Sequence, residues 1–322
     1  MNPPLADDRA GPGAQLRNLR TFVVAVRAGS MSRAAAELGI SQPTVSGHIG
    51  ELERAVGKLL LDRKQDGVAL TPVGERLLLR ATEALDLLDA AVREATFVAD
   101  PGAGEVRIGA SEPYIASGFL AAAIDRAQQH HPQLEITVVP ADTGALDFGG
   151  LRERKLDVVL GRMPAEDACA DIEAEVLFRE PILVATGVQS RWARAQVGAL
   201  RDLTGARWLL GPHGTAVRAL VTEAFRAEGL PAPRGAVNTH SMLLRLQLLA
   251  RCDYVSSMPS SLLRLKGREW GLTALPITLR QSLPVVVATL RRRSLAAPVH
   301  LFLGHLRAVT AELNGEEDGP AA

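Results

Sequence analysis

Apolar residues at Leu16, Leu19, Phe22, Val23 and Val26 follow the three-and-four spacing of one helical face, and Gly29 ends the run. SMSRAAAELG then predicts a short helix with Ser30 or Ser32 as its cap and Gly39 as its terminator. In ISQPTVSGHIGELERAVG, Ser41 is a good N-cap and Pro43 falls in the first turn, where its missing N–H has no partner to lose. Val45, Ile49, Leu52 and Val56 recur at four, three and four, so this stripe faces a core, and Gln42, Thr44, Ser46 and His48 project elsewhere. LLLDRKQDGVALTP reads as two short strands around a turn at Gln65, Asp66 and Gly67, with Arg63 and Lys64 at its shoulder.

A short helix, a turn and a second helix with a polar N-terminal end fit the DNA major groove. The hairpin is then a wing that places Arg63 and Lys64 on phosphates or in the minor groove. The same three helices with a hairpin would also serve as a protein-binding domain. From residue 72 to 98 nothing interrupts a helix. There Leu78, Ala81, Leu85, Leu88, Val92 and Ala95 alternate spacings of three and four, a seam that calls for a partner helix. At about 1.5 Å per residue it is roughly 40 Å long. An amphipathic helix packed on its own domain is the alternative.

Residues 99–105, ADPGAGE, read as a linker, after which strand and helix patterns alternate, the mark of an α/β fold. VRIGA, LEITVV and DVVLG are strand candidates at 106–110, 134–139 and 157–161, with helical stretches at about 114–130 and 144–155 between them. ILVAT, RWLLG, GAVN and YVSSM make a second series at 182–186, 207–211, 235–238 and 254–258. LPVVVATL at 283–290 and a helix at about 296–313 return to the first half. The expected domains are a disordered N-terminus at 1–15, a helix-and-hairpin unit at 16–71, a connecting helix at 72–98, lobe I at 105–180 and 281–313, lobe II at 181–280, and a disordered acidic tail at 314–322.

Length and charge sharpen this picture. The 322 residues suffice for several cores, and the formal net charge is zero, so global basicity says nothing. Residues 14–80 nevertheless carry ten Arg or Lys against six Asp or Glu, while residues 81–104 carry one against five. Cys169 and Cys252 are too few and too far apart for a disulfide framework, which fits a reducing compartment. No apolar run makes a signal peptide or a membrane span, so the expected location is the cytoplasm, with no membrane partner.

No serine stands in a G-x-S-x-G elbow, no G-x-x-x-x-G-K-[ST] loop or H-E-x-x-H pair occurs, and His130, His131, His300 and His305 lack metal-ligand spacing. The expectation is therefore no catalytic site, no metal and no cofactor. What remains is binding where strands run into helix starts. The candidates are Ser111 and Glu112; His213, Gly214 and Thr215; and Thr239, His240 and Ser241. Arg162, at the end of DVVLG, would pair with a carboxylate. Ordinary capping explains the Ser and Thr residues equally well.

LRTFVVAVRAGSMSRAAAELGISQPTVSGHIGELERAVGKLLLDR, closing in LTPVGERLL, strongly resembles the DNA-binding end of the LysR-type transcriptional regulators. The whole chain follows that family's plan: an α/β multidomain protein with an N-terminal winged helix-turn-helix, a long linker helix and a two-lobed α/β effector domain of periplasmic-binding-protein type. LDVVLGRMP and WLLGPHGTAVR look like the branch with regulators of sugar-binding-protein and aromatic-catabolism genes. The resemblance implies that Gln42, Pro43, Thr44 and Ser46 enter the major groove, that Arg63 reaches the flanking backbone or minor groove, and that Arg33 contacts a phosphate. It adds Ser257 and Met258 to the effector contacts. Implied partners are double-stranded promoter DNA, a small-molecule effector (sugar, sugar acid or aromatic acid), RNA polymerase and further copies of the chain, as a dimer or tetramer.

The sequence departs from the pattern at Gly47 and Gly50, where the family often carries long basic side chains. Two cationic contacts are thereby absent, which implies weaker non-specific DNA binding. A solute-binding protein and a metabolic α/β enzyme are the other function classes this architecture serves. The first would carry a secretion signal and no basic head; the second would carry a catalytic constellation.

Overall fold

The computed structural model describes residues 12–64, 67–99, 104–141, 148–163, 169–291 and 293–315. The chain divides into two compact units, residues 1–93 with 292–294 and residues 94–291 with 295–322.

The first unit is built from α1 (Pro12–Ala28), α2 (Met31–Leu38), α3 (Gln42–Val56), the hairpin β1 (Leu61–Lys64) and β2 (Gly67–Leu70), and α4 (Pro72–Ala99). Phe22, Ala25, Ala34, Val45, Ile49 and Leu60 close its core. Gly39 adopts φ 64° and ends α2, with the Ile40 N–H donating to the Ala35 carbonyl at 3.1 Å, the closure that releases the chain into a sharp turn. Ser41 Oγ accepts the Thr44 N–H at 3.3 Å and starts α3.

The hairpin is held at both ends. Glu53 Oε1, on α3, accepts the N–H groups of Leu60 and Leu61 at 2.9 and 3.3 Å, and the Val68 N–H donates to the Gly29 carbonyl at 3.2 Å. Thr71 Oγ1 accepts the Gly74 N–H at 3.0 Å. At Gly74 the helix passes directly over the wing, since a Cβ there would stand 2.1 Å from the Leu60 oxygen.

The second unit carries β3 (Gly104–Ala110), α5 (Glu112–Ala116), α6 (Phe119–His130), β4 (Leu134–Pro140), α7 (Gly149–Arg152), β5 (Val158–Arg162), β6 (Ile172–Gly187), α8 (Arg191–Arg194), β7 (Arg207–Leu210), α9 (Ala216–Ala227), β8 (Gly235–Asn238), α10 (Met242–Arg251), β9 (Tyr254–Pro259), α11 (Ser260–Lys266), β10 (Leu272–Leu290) and α12 (Ala297–Gly315). The strands form one sheet in the order β4-β3-β5-β10-β6-β9-β7-β8. β6 and β10 run antiparallel through its middle, paired from Ile172 with Leu290 to Leu272 with Gly187. Parallel strands flank them: β3 with β4 and β5 on one side, β7 with β8 and β9 on the other.

Each side of the sheet is covered on both faces. Val158 and Leu160 pack into one cluster and Val159 into another, while Trp208 and Leu210 divide from Leu209 in the same way. That alternation is the two-residue period of a strand buried on both faces. The Arg107 guanidinium donates to both oxygens of the buried Asp157 carboxylate at 3.2 and 3.1 Å, a bidentate pair that ties β3 to the chain entering β5.

Several expectations are corrected. Pro12–Gln15 belong to α1 rather than to an unstructured end, because proline suits the first helical turn. Asn314 and Gly315 complete α12, and residues 99, 104 and 105 belong to α4 and β3 rather than to a linker. The helix expected at 114–130 is two, separated at Gly118 with φ 84°. Of the helix expected at 144–155, the described part is only Gly149–Arg152. ILVAT and LPVVVATL are segments of much longer strands. Residues 1–11, the turn residues Gln65 and Asp66, residues 100–103 and the tail from 316 lie outside the described residues.

His130 and His131 at the end of α6 meet His305 of α12, with ring centroids 5.2 to 6.5 Å apart. Partial burial and the neighbouring His130, His131 and Arg126 hold the His305 imidazole below its ordinary value. The unfolded chain therefore takes up this proton more readily than the native one, so stability present above about pH 6.5 is lost as the pH falls. Carboxylates held low by arginines, such as Glu175 by Arg307, give up their contribution only at more acidic pH. A thermal scan series should show Tm falling as the pH drops below about 6.5, and His305→Gln should flatten that limb.

Two glycine substitutions should move stability in opposite directions in urea denaturation of the full chain. A Cβ at Gly187 would stand 2.1 Å from the Leu249 oxygen, so Gly187→Ala should cost about 1 to 3 kcal/mol. A Cβ at Gly50 meets nothing within 4 Å, so Gly50→Ala, in a helix interior, should add about 0.5 to 1 kcal/mol.

Candidate functional site

On the first unit, Ser41, Gln42, Pro43 and Thr44 are exposed at the N-terminal end of α3. Ser41 and Thr44 are engaged with each other, Oγ to Oγ1 at 2.7 Å, so Ser41 works mainly as the cap that shapes this end. Gln42, between them in sequence, is exposed as well. Ser46 is half-buried and already has a partner. His48 turns the other way: its Nδ1 is 3.0 Å from Thr21 Oγ1 on α1, so it braces the core instead of standing with the exposed group. Its position explains this, because His48 directly precedes buried Ile49 and lies on the α1 side of the stripe.

Arg33 is exposed in the first turn of α2. Arg63 and Lys64 lie at the turn end of β1, opposite Val68 and Gly67. Gly47 and Gly50 leave the helix surface bare, since a Cβ at either would meet no atom within 4 Å.

On α4 the expected seam divides. Leu78 packs against the core of the first unit and Ala81 is buried, while Leu85 is half-buried. The stripe that stays exposed starts further on, with Leu87 at 61%, Leu88 at 40% and Val92 at 59% exposure, continued by Ala95. The difference arises because the first turns of α4 are used to close the helix-and-hairpin core.

The second unit holds a cavity of about 440 Å³. It lies off the carboxyl ends of the parallel strands: the residues that follow β3, β4, β5, β7 and β8, namely Ser111, Ala141, Met163, Gly211 and Thr239, all line it. This is where open α/β sheets bind ligands, because strand ends and helix starts leave backbone donors unpaired. Ser111, Glu112, Arg162, Thr215 and His240 line it as well.

Five expected residues are not brought there, among them Ser241, whose Oγ caps α10 by accepting the Leu244 N–H at 3.2 Å. His213 and Gly214 are exposed on the turn before α9, outside the lining. Ser257, at 2% exposure, and Met258 are buried in the middle of β9, paired with Val184 and Leu183.

Strand-end reasoning does not single out Arg245, which the structure adds to the site. It lines the cavity from α10 at 6% exposure, in step with the buried Met242, Leu246 and Leu249. A lone charge inside an apolar helical stripe is the signal that could have found it. Its Nη2 donates to the Thr239 carbonyl at 3.1 Å, while Nε has no partner among the described residues. Burial, and then the nearby Arg162 guanidinium, pull the Arg245 pKa down to about 10. Glu112 opposes this and accepts the Met242 N–H at the start of α10.

Behind the cavity wall, burial pushes the Tyr114 hydroxyl well above its ordinary value. The buried Glu180 is satisfied by Ser260 and by both the N–H and hydroxyl of Ser261. Among the described residues no His, Cys, Asp and Glu group has the arrangement to hold a metal ion, and no helix is long and apolar enough to cross a membrane.

Comparison with known proteins accounts for both units. Residues 16–75 match the bacterial regulatory helix-turn-helix protein family of lysR type, and residues 99–311, more than half of the chain, match the LysR substrate binding domain. The uncharacterized HTH-type transcriptional regulator YdcI of Escherichia coli (strain K12) is 32% identical over 82% of this chain and 85% of its own. The HTH-type transcriptional regulator GbpR of Azospirillum brasilense is 28% identical over 92% of this chain and 86% of its own. Among solved structures, a full-length OxyR variant from Pseudomonas aeruginosa superposes with a TM-score of 0.63 at 23% identity, covering 91% of this chain and 97% of that one, a likeness of fold. The chain belongs to the LysR-type transcriptional regulators, DNA-binding proteins whose helix-turn-helix head is followed in sequence by an effector-binding domain.

Proposed function

We propose that this regulator reads promoter DNA with the exposed N-terminal end of α3, Gln42 and Thr44 meeting base edges while Arg33, Arg63 and Lys64 hold phosphates or the minor groove. The observation that carries this reading is the capped, exposed polar N-terminal end of α3, on a helix whose other end holds the root of the hairpin through Glu53. Gln42 is the principal reader, because a side-chain amide makes a bidentate pair with adenine. Ser41 contributes through the geometry it gives the helix start, and Ser46 through packing.

Copies of the chain associate through the exposed part of α4, as a dimer or a tetramer, so that two heads address two half-sites at a fixed separation. A small-molecule effector, a sugar, sugar acid or aromatic acid, binds in the cavity of the second unit. It shifts the assembly by the difference in its affinity for two arrangements, which alters DNA bending or contact with RNA polymerase. The setting is the cytoplasm.

A footprint of the purified full chain on its own upstream promoter region, against a scrambled duplex at equal salt, tests the reading. Protection should be confined to the promoter, and equal binding to both duplexes would overturn it. Gln42→Ala should relax the preference at one position per half-site by about 1 to 3 kcal/mol, measured by competition with single-base operator variants. Leu88→Asp combined with Val92→Asp should shift sedimentation toward the monomer and weaken operator binding, leaving the secondary structure content unchanged.

A further inference from the structure

We propose that the effector of this chain is a small monocarboxylic acid with an apolar body, its carboxylate clamped between Arg162 and Arg245. This rests on the reading of the cavity as the effector site and goes beyond it in naming the ligand chemistry.

The cavity wall carries two guanidinium groups, Arg162 and Arg245, against one carboxylate, Glu112, which leaves one positive charge uncompensated. Arg245 is almost wholly buried, yet its Nε is unpartnered among the described residues, and its one hydrogen bond there goes to a neutral carbonyl. Arg162 lines the same cavity with no ion pair among the described residues, and the two cations repel each other. The Ser111 hydroxyl, like Arg245 Nε, is a buried polar atom without a partner among the described residues. Burying an unpaired cation beside another is costly, and it is tolerated where an anion completes the site.

A carboxylate suits both guanidinium forks, each of which presents paired N–H donors. One negative charge neutralises the wall. A phosphate ester, carrying roughly −1.5 to −2 near neutral pH, would overshoot and press against Glu112. A neutral sugar would leave the positive charge buried and uncompensated. The rest of the lining favours an apolar body, since Met163, Val217, Met242 and Leu283 face the same space. Glu112 Oε2 is occupied by the Met242 N–H, which keeps this carboxylate in place on the cavity wall.

The test uses matched acids and amides on the full chain: benzoate with benzamide, and 3-methylbutanoate with its amide, with galactose and inorganic phosphate alongside. The readout is Tm at constant ionic strength. At least one acid should raise Tm by about 2 to 4 °C, with its amide, galactose and phosphate inert. Arg245→Met and Arg162→Gln should each weaken that acid's binding by at least about 30-fold. Without ligand, Arg245→Met should be no less stable than the wild type, because it removes a buried charge that lacks its counter-ion.

A response to galactose or to the amides that survives Arg245→Met would overturn the clamp and leave the effector site standing. A response to phosphate alone would replace the carboxylate by a different anion and overturn the ligand class. A silent panel, with Arg245→Met less stable than wild type, would make the pair structural and end the proposal.

Discussion

The pairing of β6 with β10 is the constraint on which the second unit depends. Each strand is long enough to serve two halves of the sheet, and their antiparallel ladder carries β5 at one end and β9 at the other. The flanking parallel strands are thereby aimed so that five of their carboxyl ends open on one space. Were the halves joined by ordinary loops, each would still bury its own core, but the two sets of strand ends would have no reason to converge. Gly187 marks how closely this ladder is covered, with α10 seated against the backbone at its end.

The first unit solves a similar problem by hydrogen bonds from a few side chains. Glu53 connects α3 to the root of the wing, and Thr71 connects the wing to α4. The exposed end of α3 and the wing are consequently parts of one rigid piece, which is what a DNA reader needs if phosphate contacts are to fix the register of base contacts.

Local chemistry in the sequence predicts local structure well. Ser30, Gly39 and Ser41 are found as helix caps, because capping depends on a few adjacent residues and their φ preferences. Period fails where the backbone departs from regularity. The register of β10 shifts between Ala274 and Thr278, again before Ser282, and once more after Val285, so its nineteen residues show no single alternation and only LPVVVATL stands out. Side-chain direction is harder still. Lying off the apolar stripe groups His48 and Ser46 with Gln42, yet the sides of a helix are several, and His48 finds Thr21 on one of them. Ser257 and Met258, added to the effector contacts by the family resemblance alone, lie inside β9, which runs on to Pro259 and buries both. Arg245 lies in the interior of α10 rather than at a strand end, so only its place in step with Met242, Leu246 and Leu249 marks it.

The bare surface at Gly47 and Gly50 separates two evolutionary tasks. The buried positions of α3 are Val45, Ile49 and Leu52, and nothing from the rest of the described residues stands over the two glycines. New side chains at these places would change the surface that α3 presents without being felt by the interior. The surface of this helix can therefore diverge along a path that never passes through a misfolded intermediate.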